Sequence, residues 1–68
     1  MQDAQVIERI RRKYGLLRLA MHERMRRPWA AAEARELGWG GVRTVALATG
    51  LSRTTITAGL EKLDLPAE

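Results

Sequence analysis

Cysteine is absent from the 68 residues, which removes disulfide staples and thiolate metal sites from consideration. A single histidine, His22, cannot hold a metal ion by itself. No apolar run exceeds four residues, as in Trp29 to Ala32, whereas a membrane-crossing helix needs about 20. The first fifteen residues lack the apolar stretch of a secretory signal, so the expectation is a cytoplasmic chain with no membrane partner. Internal repeats, low-complexity tracts and strand-like alternation are also missing. Glu33 and Glu36 stand three apart, but with no base or metal partner beside them they read as solvated charges. Four short helices with one histidine offer no pocketed nucleophile, so the chain is expected to be no enzyme and to need no cofactor.

What is present is basic. The formal net charge is +4, and its distribution is uneven. Residues 1–28 hold eight Lys/Arg against three acids, residues 29–51 balance, and residues 52–68 come to −1. An anionic partner fits that footprint. At this length there is room for one domain, burying only about 60% of its unfolded surface.

Four segments are separated by breakers. From the N-cap candidate Asp3 to about Arg26, Ile7, Ile10, Tyr14, Leu17, Met21 and Met25 recur at spacings of three and four, the stripe of an amphipathic helix. Gly15 interrupts it and allows a bend. Pro28 is expected to break or kink this helix and to open a second, alanine-rich one that runs to Leu37. Gly38-Trp39-Gly40-Gly41 ends that helix. A third runs from Val42 to Thr49, with Val42, Val45, Ala46 and Thr49 on one side. A fourth follows Ser52, with Ile56, Gly59, Leu60 and Leu63 inward, and stops at Leu65-Pro66. The predicted fold is all-α: a small helix-turn-helix bundle of about four helices. It divides into a basic N-terminal helix over 1–27 and a tri-helical unit over 28–68, within one compact domain.

The stretch 42–63 carries the most specific pattern. Two helices crossing near a right angle need a small residue at the crossing, which Ala46 supplies. They need a residue that tolerates positive φ in the turn, Gly50, and then a core plug, Leu51. A branched residue must point back inward, and Ile56 stands ten positions beyond Ala46. Ser52 can cap the last helix by accepting from the amide of Thr54 or Thr55. If that helix reads DNA, Ser52, Arg53, Thr54, Thr57 and Ala58 form its outward face. Arg53 can donate two bonds to guanine O6 and N7. Arg43 on the third helix and Arg11 and Arg12 on the first are candidates for further DNA contacts.

The residues 27–63, RPWAAAEARELGWGGVRTVALATGLSRTTITAGLEKL, resemble the amino-terminal region of bacterial insertion-sequence transposases of the ISAzo type. There a block like WAAAEA, then GxGG, then VA-ATGLSRTTI, precedes a larger catalytic domain of the DDE class, and the leading IRRKY also resembles the family's opening. The resemblance implies a segment that recognises transposon ends in double-stranded DNA during transposition. Thr57 and Ala58 stand where the family carries arginines, and Leu47 where a charged residue is usual, so the positive surface is smaller here. The acidic catalytic triad has no counterpart, and this chain is expected to be the binding part alone.

Several residues keep a second reading. The arginines of the first helix either track phosphates or form a solvated face whose stems cover apolar surface. A membrane-surface helix is disfavoured by Asp3, Glu8 and Glu23. Trp29 and Trp39 are expected in the core rather than stacked on bases, with Trp39 as a lid between the second and third helices. His22 reads as a surface residue. Met21 and Met25 are stripe members or part of a pairing surface. The alternative function is therefore a protein-interaction module, a homodimer through the N-terminal helix.

Overall fold

The computed structural model describes residues 4–63, all of whose regular structure is helical. Helix α1 spans Ala4–Leu17, α2 Glu23–Leu37, α3 Gly41–Thr49 and α4 Arg53–Leu63. The expected cap at Asp3 and the expected stop at Leu65-Pro66 lie outside the described residues. The all-α bundle read from the sequence is the fold observed, with α2 packed on α3 and α4, and α1 packed on α3.

Two boundaries differ from expectation. The first helix ends at Leu17 rather than near Arg26, and the chain turns through Arg18–His22 before α2 begins at Glu23. The amides of Arg18 and Met21 bond back to the carbonyls of Tyr14 and Leu17, so α1 unwinds over one loose turn. His22, in extended conformation, precedes α2 without offering a side-chain cap. Arg26 reaches back across this connection, its Nη2 donating to the Arg18 carbonyl at 2.5 Å. Pro28 does not start α2; it sits inside it. A proline there deprives the Arg24 carbonyl of its helical partner. Arg24 lies in the first turn and is exposed, where solvent can satisfy a freed carbonyl at modest cost. Gly15 lies within α1, with open space beside its Cα.

The reason for the early turn is tertiary. Ile10 is the buried residue of α1, and Ala30, Ala31 and Ala34 are the buried residues of α2. A single helix running on to Arg26 would carry α2 away from that shared core. Tyr14 and Trp29 stack at 5.6 Å between ring centroids, and Lys13 Nζ donates to both carboxylate oxygens of Glu33 at 3.0 and 3.1 Å. The ring pair is worth about 1 kcal/mol, and the partly exposed ion pair at most that.

The core consists of Ile10, Ala30, Ala34, Val45, Ala48 and Ile56, with Val6, Ile7, Trp29, Leu37, Val42, Ala46, Leu51 and Leu60 packed around it. The small side chains let the helices approach closely. At Gly41 a Cβ would stand 2.2 Å from the Ala34 carbonyl oxygen, and at Gly59 one would stand 3.0 Å from the Ala31 Cβ. These two glycines mark where α3 and α4 meet α2. The inward face of α3 is rotated from the one expected: Gly41, Thr44, Val45 and Ala48 are buried, while Val42, Ala46 and Thr49 are half-buried. A helix packed by α1, α2 and α4 together presents more than one stripe. Trp39 is neither core nor lid. It is 91% exposed at the tip of the α2–α3 turn, flanked by Gly38 and Gly40, both at positive φ.

Candidate functional site

The junction of α3 and α4 is built from short-range bonds. Thr49 Oγ1 donates to the Val45 carbonyl at 2.8 Å and accepts from the Leu51 amide at 3.2 Å. Gly50 takes the left-handed conformation, φ 81° and ψ 0°, and its amide bonds to the Ala46 carbonyl. That conformation is strained for any residue with a Cβ. Ser52 Oγ then accepts from the Thr55 amide at 3.0 Å and lies 2.9 Å from the Thr55 hydroxyl. Of the two amides offered as partners, Thr55 is the one used. Such a cap is worth about 1 kcal/mol to a short helix.

These bonds fix how α4 faces. Ile56 is 0% exposed and Gly59 is buried, so the opposite side of the helix is free. Ser52, Arg53, Thr54, Thr57 and Ala58 are all exposed. At about 100° per residue, Thr54, Thr57 and Ala58 form the outward face, with Arg53 on its flank toward Leu60. Glu61 stands in the C-terminal half of the same face, so the amino-terminal half is the part open to an anion.

The remaining expected contacts are more scattered. Arg43 is exposed on α3. Arg11 and Arg12 are exposed on α1, which packs on α3, and Arg11 pairs with Glu8 one turn earlier. Among the described residues no hydrogen bond or ion pair ties them to the outward face of α4. A different set of cations adjoins it. An open groove of about 640 Å³ runs between the first turns of α2 and the length of α4, and Arg24, Arg27 and Lys62 line it. Thr54 and Ala58 belong both to this groove and to the outward face. The sequence pattern did not single out Arg24, Arg27 or Lys62, and it ran Arg24 into one long first helix. Their juxtaposition depends on the packing of α2 directly against α4, with α3 connecting the two.

Among the described residues no group of three or more His, Asp or Glu side chains is arranged to hold a metal ion, and no helix is long and apolar enough to cross a membrane. No protein-family model, no curated protein and no solved structure matches this chain.

Proposed function

We propose that this chain is a duplex-DNA-binding helix-turn-helix module, with α4 as the helix that enters the major groove. The observation that carries the reading is the reversal at Gly50, which buries Ile56 while leaving Ser52, Arg53, Thr54, Thr57 and Ala58 exposed at the start of a helix. Helix-turn-helix proteins read base edges with that end of their second helix. A helix about 10–12 Å across fits a major groove about 12 Å wide. The likeness of residues 27–63 to insertion-sequence transposases fits the same role, with transposon ends as the DNA and the bacterial cytoplasm as the setting.

Arg53 is assigned the base-reading role because a guanidinium presents two parallel donors that match guanine O6 and N7. Arg53→Ala is expected to lower discrimination between preferred and scrambled duplexes by about ten- to a hundredfold, with a smaller loss of total binding. Titration of fluorescent duplex pools with wild type and variant measures both. A variant that still discriminates as well as wild type removes Arg53 from that role.

One observation favours a second reading. Leu16 and Leu19 are 76% and 90% exposed, and Leu17 and Met25 are exposed nearby, all around the α1–α2 connection. The stripe of α1 itself is engaged, since Ile10 is buried and Ile7 packs on the core. A homodimer would therefore pair through the end of α1 rather than along it. Sedimentation at micromolar concentration is expected to give the dimer mass for wild type and the monomer mass for Leu16→Lys/Leu19→Lys. A monomeric wild type ends this reading and leaves the DNA proposal untouched.

A further inference from the structure

We propose that the groove between α2 and α4 is a seat for backbone phosphate of duplex DNA, held by Arg24, Arg27 and Lys62. The inference rests on the DNA-binding reading and adds to it the surface that grips the strand beside the bases.

The first argument is electrostatic. Three cations from two helices line one concavity, and no acidic side chain lines it with them. Two cations outside the groove are paired, Arg11 with Glu8 and Lys13 with Glu33. Among the described residues no ion pair engages Arg24, Arg27 or Lys62. Like charges gathered without a counter-charge repel one another, and an anion between them converts that repulsion into attraction.

The second argument is positional. The groove is set by the backbone rather than by flexible side chains alone. Gly59 brings α4 against α2, so closely that a Cβ there would stand 3.2 Å from the Arg27 carbonyl oxygen. Arg27 and Lys62 are thereby held on facing walls. Around the axis of α4, Lys62 lies about 180° from Arg53, on the opposite flank. A helix inserted in the major groove has a sugar-phosphate strand on each flank. With the outward face of Thr54, Thr57 and Ala58 toward the bases and Arg53 reaching in from one flank, the cationic groove meets the backbone on the other. Thr54, shared by groove and outward face, adds an exposed hydroxyl where the two meet.

The chemistry selects phosphate. Guanidinium groups form two parallel bonds to phosphate oxygens, and the ammonium of Lys62 adds a mobile point charge. No step beyond ionic and hydrogen-bond contact is implied, and the contact carries no base preference.

The test compares two triple variants of equal charge in the full chain: Arg24→Gln/Arg27→Gln/Lys62→Gln in the groove, and Arg9→Gln/Arg11→Gln/Arg12→Gln on α1. All six side chains are exposed, and unchanged thermal melting of the helical signal confirms that each variant folds. Binding to a fixed duplex is titrated from 50 to 200 mM salt. Each phosphate contact removed flattens the plot of log affinity against log salt by about one. The groove triple is expected to flatten it by about two to three and to weaken binding roughly tenfold or more at the low-salt end. Its ratio of preferred to scrambled duplex should match wild type. The α1 triple is expected to flatten the slope by less than about one. Wild-type binding with an unaltered slope in the groove triple overturns the groove alone, as does an α1 triple that matches or exceeds it. No wild-type binding at any salt overturns the DNA reading and the groove with it.

Discussion

Gly41→Ala is expected to lower the unfolding free energy by about 3 kcal/mol and the thermal midpoint by roughly 15 °C. The added methyl would sit 2.2 Å from the Ala34 carbonyl oxygen, 3.0 Å from its carbon and 3.1 Å from the Leu37 Cβ. Two of those three atoms are backbone inside α2, and helix backbone cannot rotate aside as a side chain can. The start of α3 must therefore move away from the end of α2, opening the contact that buries Ala34 and Val45. Overpacking costs typically about 1–3 kcal/mol when side chains can yield, and more when they cannot. Against that, alanine gains at most about 1 kcal/mol over glycine in helix propensity, and less at a first helical position. A chain of this size has a total stability of about 3–10 kcal/mol, so the loss is a large share of it. Thermal unfolding followed by circular dichroism measures the shift. A midpoint within about 3 °C of wild type would mean that α3 can withdraw from α2 without loss.

Truncation of Ile56 is expected to be nearly as damaging, for the opposite reason. Ile56 and Val45 are the largest fully buried side chains, and Ile56 ties α4 to the core. Ile56→Ala removes apolar contact and leaves a void among alanines that cannot reach inward to fill it, a loss of about 3 kcal/mol within the usual range of 2–5. Ile56→Val, which removes one methylene, should cost about 1 kcal/mol. Denaturant melts of the pair are the measurement, and the unfolding slope should stay constant. Equal stability of the two variants would mean that the pocket around residue 56 collapses freely. Because Ile56 sets which way α4 faces, the alanine variant should also weaken DNA binding, and excess duplex should recover part of its stability by mass action.

The two halves of the molecule were legible to different degrees. The α3–α4 junction is decided by residues close in sequence: Thr49, Gly50 and Ser52 each bond within a few positions of themselves, and the turn follows from their side-chain types. Its core partner Ile56 is also within reach of local spacing. The α1–α2 connection has no such signature. Arg18–His22 contains neither glycine nor proline, and the apolar spacing runs through it as if one helix continued. The strongest local breaker, Pro28, is absorbed inside α2 because its missing bond falls in an exposed first turn. Trp39 was expected inside on its size alone, yet the glycines around it project it outward. The outward residues of α4 could be named from helical periodicity, whereas the cationic groove could not. Arg24 and Lys62 become neighbours only through tertiary packing, and no local pattern encodes that.

Among the described residues, four of the seven buried apolar ones are alanines: Ala30, Ala31, Ala34 and Ala48. At its alanines such an interior has little to lose from shrinkage and much to lose from growth, which inverts the tolerance of an ordinary leucine-filled bundle. At those sites a conservative exchange for valine or leucine is a wedge between helices rather than a gentle repacking. Sequence drift in this molecule is thus confined from above, by an upper limit on side-chain volume set by how near its backbones stand.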